Sequence, residues 1–266
     1  MGESTPTEVE IGTPTYRSGS LGIDQKRRKV KRMAIIGGRA HLNGITFVNN
    51  THIVRGKIVH GRLSIHEHRL PGLRVFNLMD KIPFLRGVSK VAKLNHKLFL
   101  ASILILIIPW DWLLPSDNLV VSESVWLELA FYGSVLMILV VLLKRLWQFH
   151  GAEHKAFNVY MSGGDLSLGA VREASRVSER CGTNLAVIAL PIVVLLSLVT
   201  MPMLILVVAL PIGFEIFNWS SRSNRLKPAF MMASFIQQHI VTAEPTEQQI
   251  QLATATLARA IECDLE

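Results

Sequence analysis

Cysteine is scarce in this sequence: Cys181 and Cys263 are the only two among 266 residues. They show no CxxC spacing, which excludes a disulfide scaffold and favours a reducing compartment for the segments that carry them. Charge is sparse as well. Charged residues make up 18% of the chain against 50% hydrophobic ones, and the mean hydropathy is +0.35, a balance that excludes disorder and is too apolar for an ordinary soluble fold. The first 20 residues hold no apolar signal core and carry Glu3, Glu8 and Glu10 instead, so no cleavable secretion signal is expected. No P-loop lysine follows the glycine pair Gly37-Gly38, so close backbone packing is expected there rather than a phosphate cradle.

The hydrophobicity that is present comes in blocks, Leu98 to Leu114, Val125 to Leu143 and Leu185 to Asn218. The 28 Lys and Arg avoid them: 18 precede Leu98, six lie between Lys144 and Arg180, and four follow from Arg222 onward. The loop after the first block carries Asp111, Asp117 and Glu123 instead. By the positive-inside rule, both termini and the middle loop then lie in the cytosol, which demands an even number of crossings on each side of that loop. The last block as one helix would be about 50 Å long against a hydrocarbon core of roughly 30 Å, and Thr200-Met201-Pro202 offers a place to turn. The expected fold is therefore an α-helical integral membrane protein of the bacterial cytoplasmic membrane. It has four spans arranged as two hairpins, a small cytosolic β-meander and a helical cytosolic C-terminus.

Composition divides the chain into a disordered basic tail over 1–32, a β-meander over 33–82, and an approach helix with spans one and two over 83–147. A cytosolic loop and helix over 148–184, spans three and four over 185–219, and a helical C-terminus over 220–266 complete it. The basic run Lys26 to Arg32 has no aromatic interleaving, so it reads as a contact for the lipid bilayer or a cytosolic partner such as a ribosome, and no specific nucleic acid is expected. In the meander, apolar Ile53, Val54, Ile58, Val59, Leu63 and Ile65 alternate with polar residues, and Asn49-Asn50, Arg55-Gly56 and His60-Gly61 are turn candidates. The pair His66 and His68 shares a strand face, read as solvated rather than metal-binding. Ser167 is expected to cap a helix running to Arg180, with Gly182 as its C′ residue, and Ile250, Ala253, Leu257 and Ile261 line one face of a helix after Thr246.

The segment Phe149-His150-Gly151-Ala152-Glu153-His154-Lys155 carries an H-x-x-E-H pattern. On a helix, His150 and His154 stand one turn apart on one face and can offer two imidazoles to one metal, with Glu153 beside them as third ligand or general base. A polar helix end without metal is the alternative. Cys181 and Glu215 flank the later apolar block. Cys181 is expected at the depth of His150, and a carboxylate within an apolar run such as Glu215 is a functional candidate by default. A packing role for Cys181 and neutralisation of Glu215 by Arg145 or Lys144 form the opposing reading.

The stretches Gly37-Gly38-Arg39-Ala40 with Asn43-Gly44, Ile82 to Val88, Phe149 to Lys155, Arg180-Cys181-Gly182-Thr183, Phe214-Glu215-Ile216 and Thr242-x-Glu244-Pro245 resemble, in order, the motifs of the YqhQ-like family of bacterial membrane proteins. That resemblance implies metal dependence and points to His150, Glu153, His154, Cys181 and Glu215. The chain departs from the family pattern at Ser178 and Glu179, where a His-Pro pair is usual, and at Asn43, where Glu is common. Glu179 is a candidate replacement ligand.

Two functions follow as expectations. One is a zinc-type hydrolase at the cytosolic membrane face, in which His150, His154 and either Cys181 or Glu215 hold the divalent metal and Glu153 takes a proton from its bound water. The other is a non-catalytic membrane accessory or scaffold protein that docks a cytosolic partner such as a ribosome or translocase.

Overall fold

The structure, a computed structural model, describes residues 35–70, 78–79, 81, 89, 125–197, 211–217, 219 and 226–263. The expected tail, the approach helix and the Leu98 to Leu114 span lie outside the described residues. The chain divides into two compact units, one from Met1–Leu73, Leu146–Cys181 and Gln237–Glu266, the other from Arg74–Arg145 and Gly182–Ile236.

The first unit is built on a four-stranded antiparallel meander in sequence order, β1 (Ile35–His41), β2 (Gly44–Asn49), β3 (His52–Val59) and β4 (Arg62–Arg69). His60 and Gly61, with φ of 50° and 77°, close β3 onto β4 in the doubly left-handed geometry that a two-residue hairpin requires. The Asn49 side chain organises the β2–β3 turn by accepting from the backbone N–H groups of Thr51 and His52, and its Nδ2 donates to the Ala260 carbonyl at 2.8 Å. Arg55-Gly56, expected as a turn, lies instead inside β3. Glycine is needed there because a Cβ would strike Thr256 and Leu252 of α6, which crosses at that point.

Helix α1 (Val125–Leu142) belongs to the second unit, and α2 (Lys144–Ser162) continues into the first. The short α3 (Leu168–Glu173) is capped by Ser167 but ends at Ala174, well before Arg180. After it comes α4 (Gly182–Ser197), of which Gly182 is the first residue rather than the C′ residue of the helix before. Next are α5 (Lys227–Ile236), a π-helical turn over Gln237–Val241, and α6 (Glu247–Glu262). Thr246 and Gln249 form a reciprocal capping box at the start of α6. In the first unit Ile45, Phe47 and Val54 of the sheet, Phe149, Ala152 and Ala156 of α2, and Leu252, Ala253 and Leu257 of α6 make one core. Bidentate pairs fasten its rim, Arg259 to Glu67 and Arg172 to Glu247.

The four-span expectation is overturned. Among the described residues no single helix is long and apolar enough to cross a membrane, and α1 with α2 would reach that length only as a bent pair. The reasons are local. The helix breaks at Leu143, and beyond it α2 is a mixed helix whose buried face includes Glu153, His154 and Lys155. Helix α4 has 16 residues with Pro191 inside, where a crossing takes about 20. In the second unit short apolar segments pack on one another: α4 lies against α5, and a Cβ on Gly213, within the helical residues 211–217, would sit 3.0 Å from the Ala189 side chain. The charge-placement argument for the orientation of two hairpins falls with the spans.

Candidate metal centre

Helix α2 carries the centre, and its small residues explain how. A Cβ on Gly151 would collide with the Ala243 carbonyl, so glycine lets the 242–244 backbone lie directly on the helix. Ala243 N–H donates to the Trp147 carbonyl at 2.9 Å, anchoring that strip. The next face of α2 supplies donors to the end of α3 and the irregular segment that follows it. Lys155 Nζ bonds the Arg172 carbonyl at 2.7 Å, Asn158 Nδ2 bonds those of Ser175 and Val177, and His154 Nδ1 bonds that of Arg176 at 2.5 Å. Carbonyls that no helix satisfies are thus met by side chains, and this template leads the chain to Cys181.

The two histidines are oriented alike. His150 Nδ1 donates to the Val241 carbonyl at 2.8 Å and His154 Nδ1 to that of Arg176. A carbonyl accepts only, so each ring carries its proton on Nδ1 and leaves the Nε2 lone pair unprotonated. The rings lie 4.3 Å apart between centroids, His150 Nε2 stands 3.8 Å from Cys181 Sγ, and one ligand atom from each of His150, His154 and Cys181 falls within 4.8 Å of the others. These three residues can hold a metal, with backbone carbonyls fixing the imidazoles as outer partners do in such sites.

Glu153 faces the same centre, its Oε2 3.8 Å from His150 Nε2. On its other side it presses on β1, where a Cβ on Gly38 would sit 2.5 Å from Oε1. Close packing at the glycine pair therefore serves to seat this carboxyl. Burial pushes the Glu153 carboxyl up to about 8 and, with the neighbouring His150 as a further cause, pulls His154 down to about 3. His150 is also lowered by burial, although a fifth of its side chain reaches solvent. Without a cation the centre thus pairs two neutral imidazoles with a protonated carboxyl.

The other candidates stand apart from this set. Glu215 belongs to the second unit, where its Oε1 is buried without a hydrogen-bond partner, and it is not one of the converging residues. Glu179 is exposed and likewise absent from the set. Ser178 is buried, its N–H donating to Gln237 Oε1 at 2.8 Å and its carbonyl accepting from Cys181 N–H at 3.3 Å. Sequence reasoning missed the outer clamp, in which Glu244 bridges Lys155 Nζ at 2.8 Å and Arg176 Nε at 3.1 Å. Its signal was the Thr242-x-Glu244-Pro245 stretch, noticed without a role.

A helix-borne histidine pair joined by a distant cysteine and a buried glutamate places the chain among proteins with a ligand-type polar centre, and the family comparison agrees in extent. The model of the family described as "Protein of unknown function (DUF1385)" matches residues 89–263, which include all four centre residues, and the chain belongs to that family. It is 28% identical over 145 residues to the uncharacterized protein YqhQ of Bacillus subtilis (strain 168), a match covering 49% of this chain and 45% of that protein. The chain thus spans less than half the length of this curated relative. No solved structure matches.

Proposed function

We propose that His150, His154 and Cys181 bind a divalent metal ion, zinc by ligand type, and that the protein is a metal-dependent hydrolase with Glu153 as its proton-transfer group. The observation that carries this reading is the matched anchoring of the imidazoles, each tied through Nδ1 to a carbonyl, with His150 Nε2 near Cys181 Sγ and a ligand atom of His154 within 4.8 Å of both. Two histidines and one cysteine would hold such an ion, a three-residue ligand set of the kind found at catalytic rather than structural zinc sites. The ion would supply Lewis acidity, lowering the pKa of a bound water to about 7. Glu153, beside His150 in the same centre, would be ionised with a cation near it and would take up a proton and return it within one cycle.

Cobalt substitution tests this without a known substrate. The expected spectrum shows thiolate-to-cobalt charge transfer and tetrahedral d–d bands, both lost in His154→Ala and in Cys181→Ser. Glu153→Gln is expected to keep the bands and change the pH titration of the bound water. A wild-type protein that takes up no cobalt overturns the reading.

A second reading, a non-catalytic accessory protein that docks a partner, is supported by the second unit, where Phe131, Met137, Val141, Leu195 and Phe235 are exposed. Apolar surface of that kind marks interaction sites. A centre without metal uptake, together with a partner bound through those residues, would favour it.

A further inference from the structure

One face of the meander packs on α2 and α6, and the opposite face is basic. Cross-strand register puts Arg39, Thr46 and Arg55 in one row and His41, Gly44 and Lys57 in the next, all on that outer face. Glu67 is the only acid between Ile35 and Leu70. It lies on the inner side and is engaged by Arg259 and Cys263. The outer face therefore gathers Arg39, Arg55 and Lys57 with His41, and β4 adds Arg62, His66 and His68, with no carboxylate of its own strands among them.

Arg39 and Arg55 are separated by the one strand that carries Thr46, which sets them about 10 Å apart along the sheet. The Nε atoms of both are shut off from water without a hydrogen-bond partner. A buried donor left unmade costs free energy, and here two belong to like-charged groups that repel each other. The proximity has a second sign: Arg39 is lowered by burial and by Arg55, and His41 is pulled down to about 4 by burial, Arg39, Arg55 and Lys57. Thr46 itself is buried, so a ligand meets the guanidinium ends and not the strand surface.

We propose that this face binds a phosphate group between the guanidinium forks of Arg39 and Arg55, with Lys57 adding charge. A tetrahedral dianion offers enough oxygens for two forks and balances more of the clustered charge than a single carboxylate. The described residues of this face present no Phe, Tyr or Trp for a nucleobase to stack on, so the chemistry recognised is the phosphate ester itself. Its source is a soluble phosphate compound or a phospholipid headgroup. This site is independent of the metal centre, which lies with Glu153 on the Gly38 side of β1.

Thermal melting of the full chain against inorganic phosphate, with vesicle sedimentation as a second arm, tests it. Phosphate is expected to raise the melting temperature saturably. Arg39→Met and Arg55→Met should each weaken apparent affinity at least tenfold, while Arg172→Met keeps the wild-type affinity. Without phosphate, Arg55→Met is expected to melt at or above wild type, since it removes a repelling charge and an orphan donor while keeping an apolar stem. Binding to phosphatidylglycerol vesicles but not phosphatidylcholine ones, lost in the same two variants, identifies the headgroup as source. Phosphate binding without vesicle binding identifies a soluble ester. No phosphate-dependent shift, a shift that survives both arginine variants, or an Arg55→Met protein less stable than wild type overturns the proposal.

Discussion

The unit that holds the sheet and the unit that holds the apolar helices treat polar and apolar side chains in opposite ways. In the first, Glu153, His154 and Lys155 are buried, and the histidine and lysine reach backbone carbonyls while Glu244 pairs with Lys155 and Arg176. In the second, Phe131, Leu142, Leu195 and Met231 are more than half exposed while one oxygen of Glu215 is buried without a partner. Hydropathy alone therefore misleads about where chemistry sits. The apolar blocks dominate the composition, yet the converging ligand atoms belong to the more polar unit, assembled from three separate stretches of chain.

Substitutions that remove space in the first unit sharpen the contrast most. Gly151→Val is expected to destabilise by about 3 kcal/mol or more, because the colliding atom is the Ala243 backbone carbonyl and cannot rotate away. Denaturant unfolding followed by tryptophan fluorescence measures it, and an unchanged midpoint would mean that the 242–244 strip does not lie on α2. Gly38→Ala should cost about 1–3 kcal/mol, since the Glu153 carboxyl it meets is buried. Combining it with Glu153→Ala should recover part of that cost, and a double-mutant cycle with no coupling would separate the two residues.

Between these and the weaker effects lies the pH response of metal-free protein. His154 is lowered to about 3 when folded, so the unfolded state binds protons more tightly and stability falls as pH drops below about 6.5 toward 3. Glu153 is raised to about 8, so its contribution is complete below about 4.5 and is lost as pH rises toward 8. From about 4.5 to 6.5 the two slopes oppose each other. The expected profile is a broad maximum there with a decline toward pH 8, and Glu153→Gln should abolish the alkaline decline. The smallest effect belongs to Glu244→Gln. Glu244 is largely exposed, so its loss should cost under about 1 kcal/mol of global stability, read from the same unfolding curves.

Much of the first unit was legible because its signals are local. Alternation marked the strands, His60-Gly61 marked a hairpin, and the apolar spacing after Thr246 marked α6. The one-turn spacing of His150 and His154 and the candidacy of Cys181 were also readable, since both depend on residue type and helix period. Arg55-Gly56 misread as a turn because a glycine that admits a crossing helix looks, in sequence, like one that bends the chain. The four spans failed for a related reason: counting apolar residues does not reveal a break at Leu143. Glu215 was drawn into the centre by an assumed common membrane depth, an argument that lapsed with the spans. The Nδ1 bonds to Val241 and Arg176 had no sequence signal, because a backbone carbonyl is the same in every residue.

The central claim is that the polar unit alone carries a metal-binding triad. Metal content of the full chain purified without chelator, measured by plasma emission beside matched variants, tests it most directly. The account predicts about one zinc per wild-type chain, loss in His154→Ala and in Cys181→Ser, and full retention in Glu153→Gln and Glu215→Gln. Wild-type chain free of transition metal, or zinc lost with Glu215 and kept without Cys181, would contradict it.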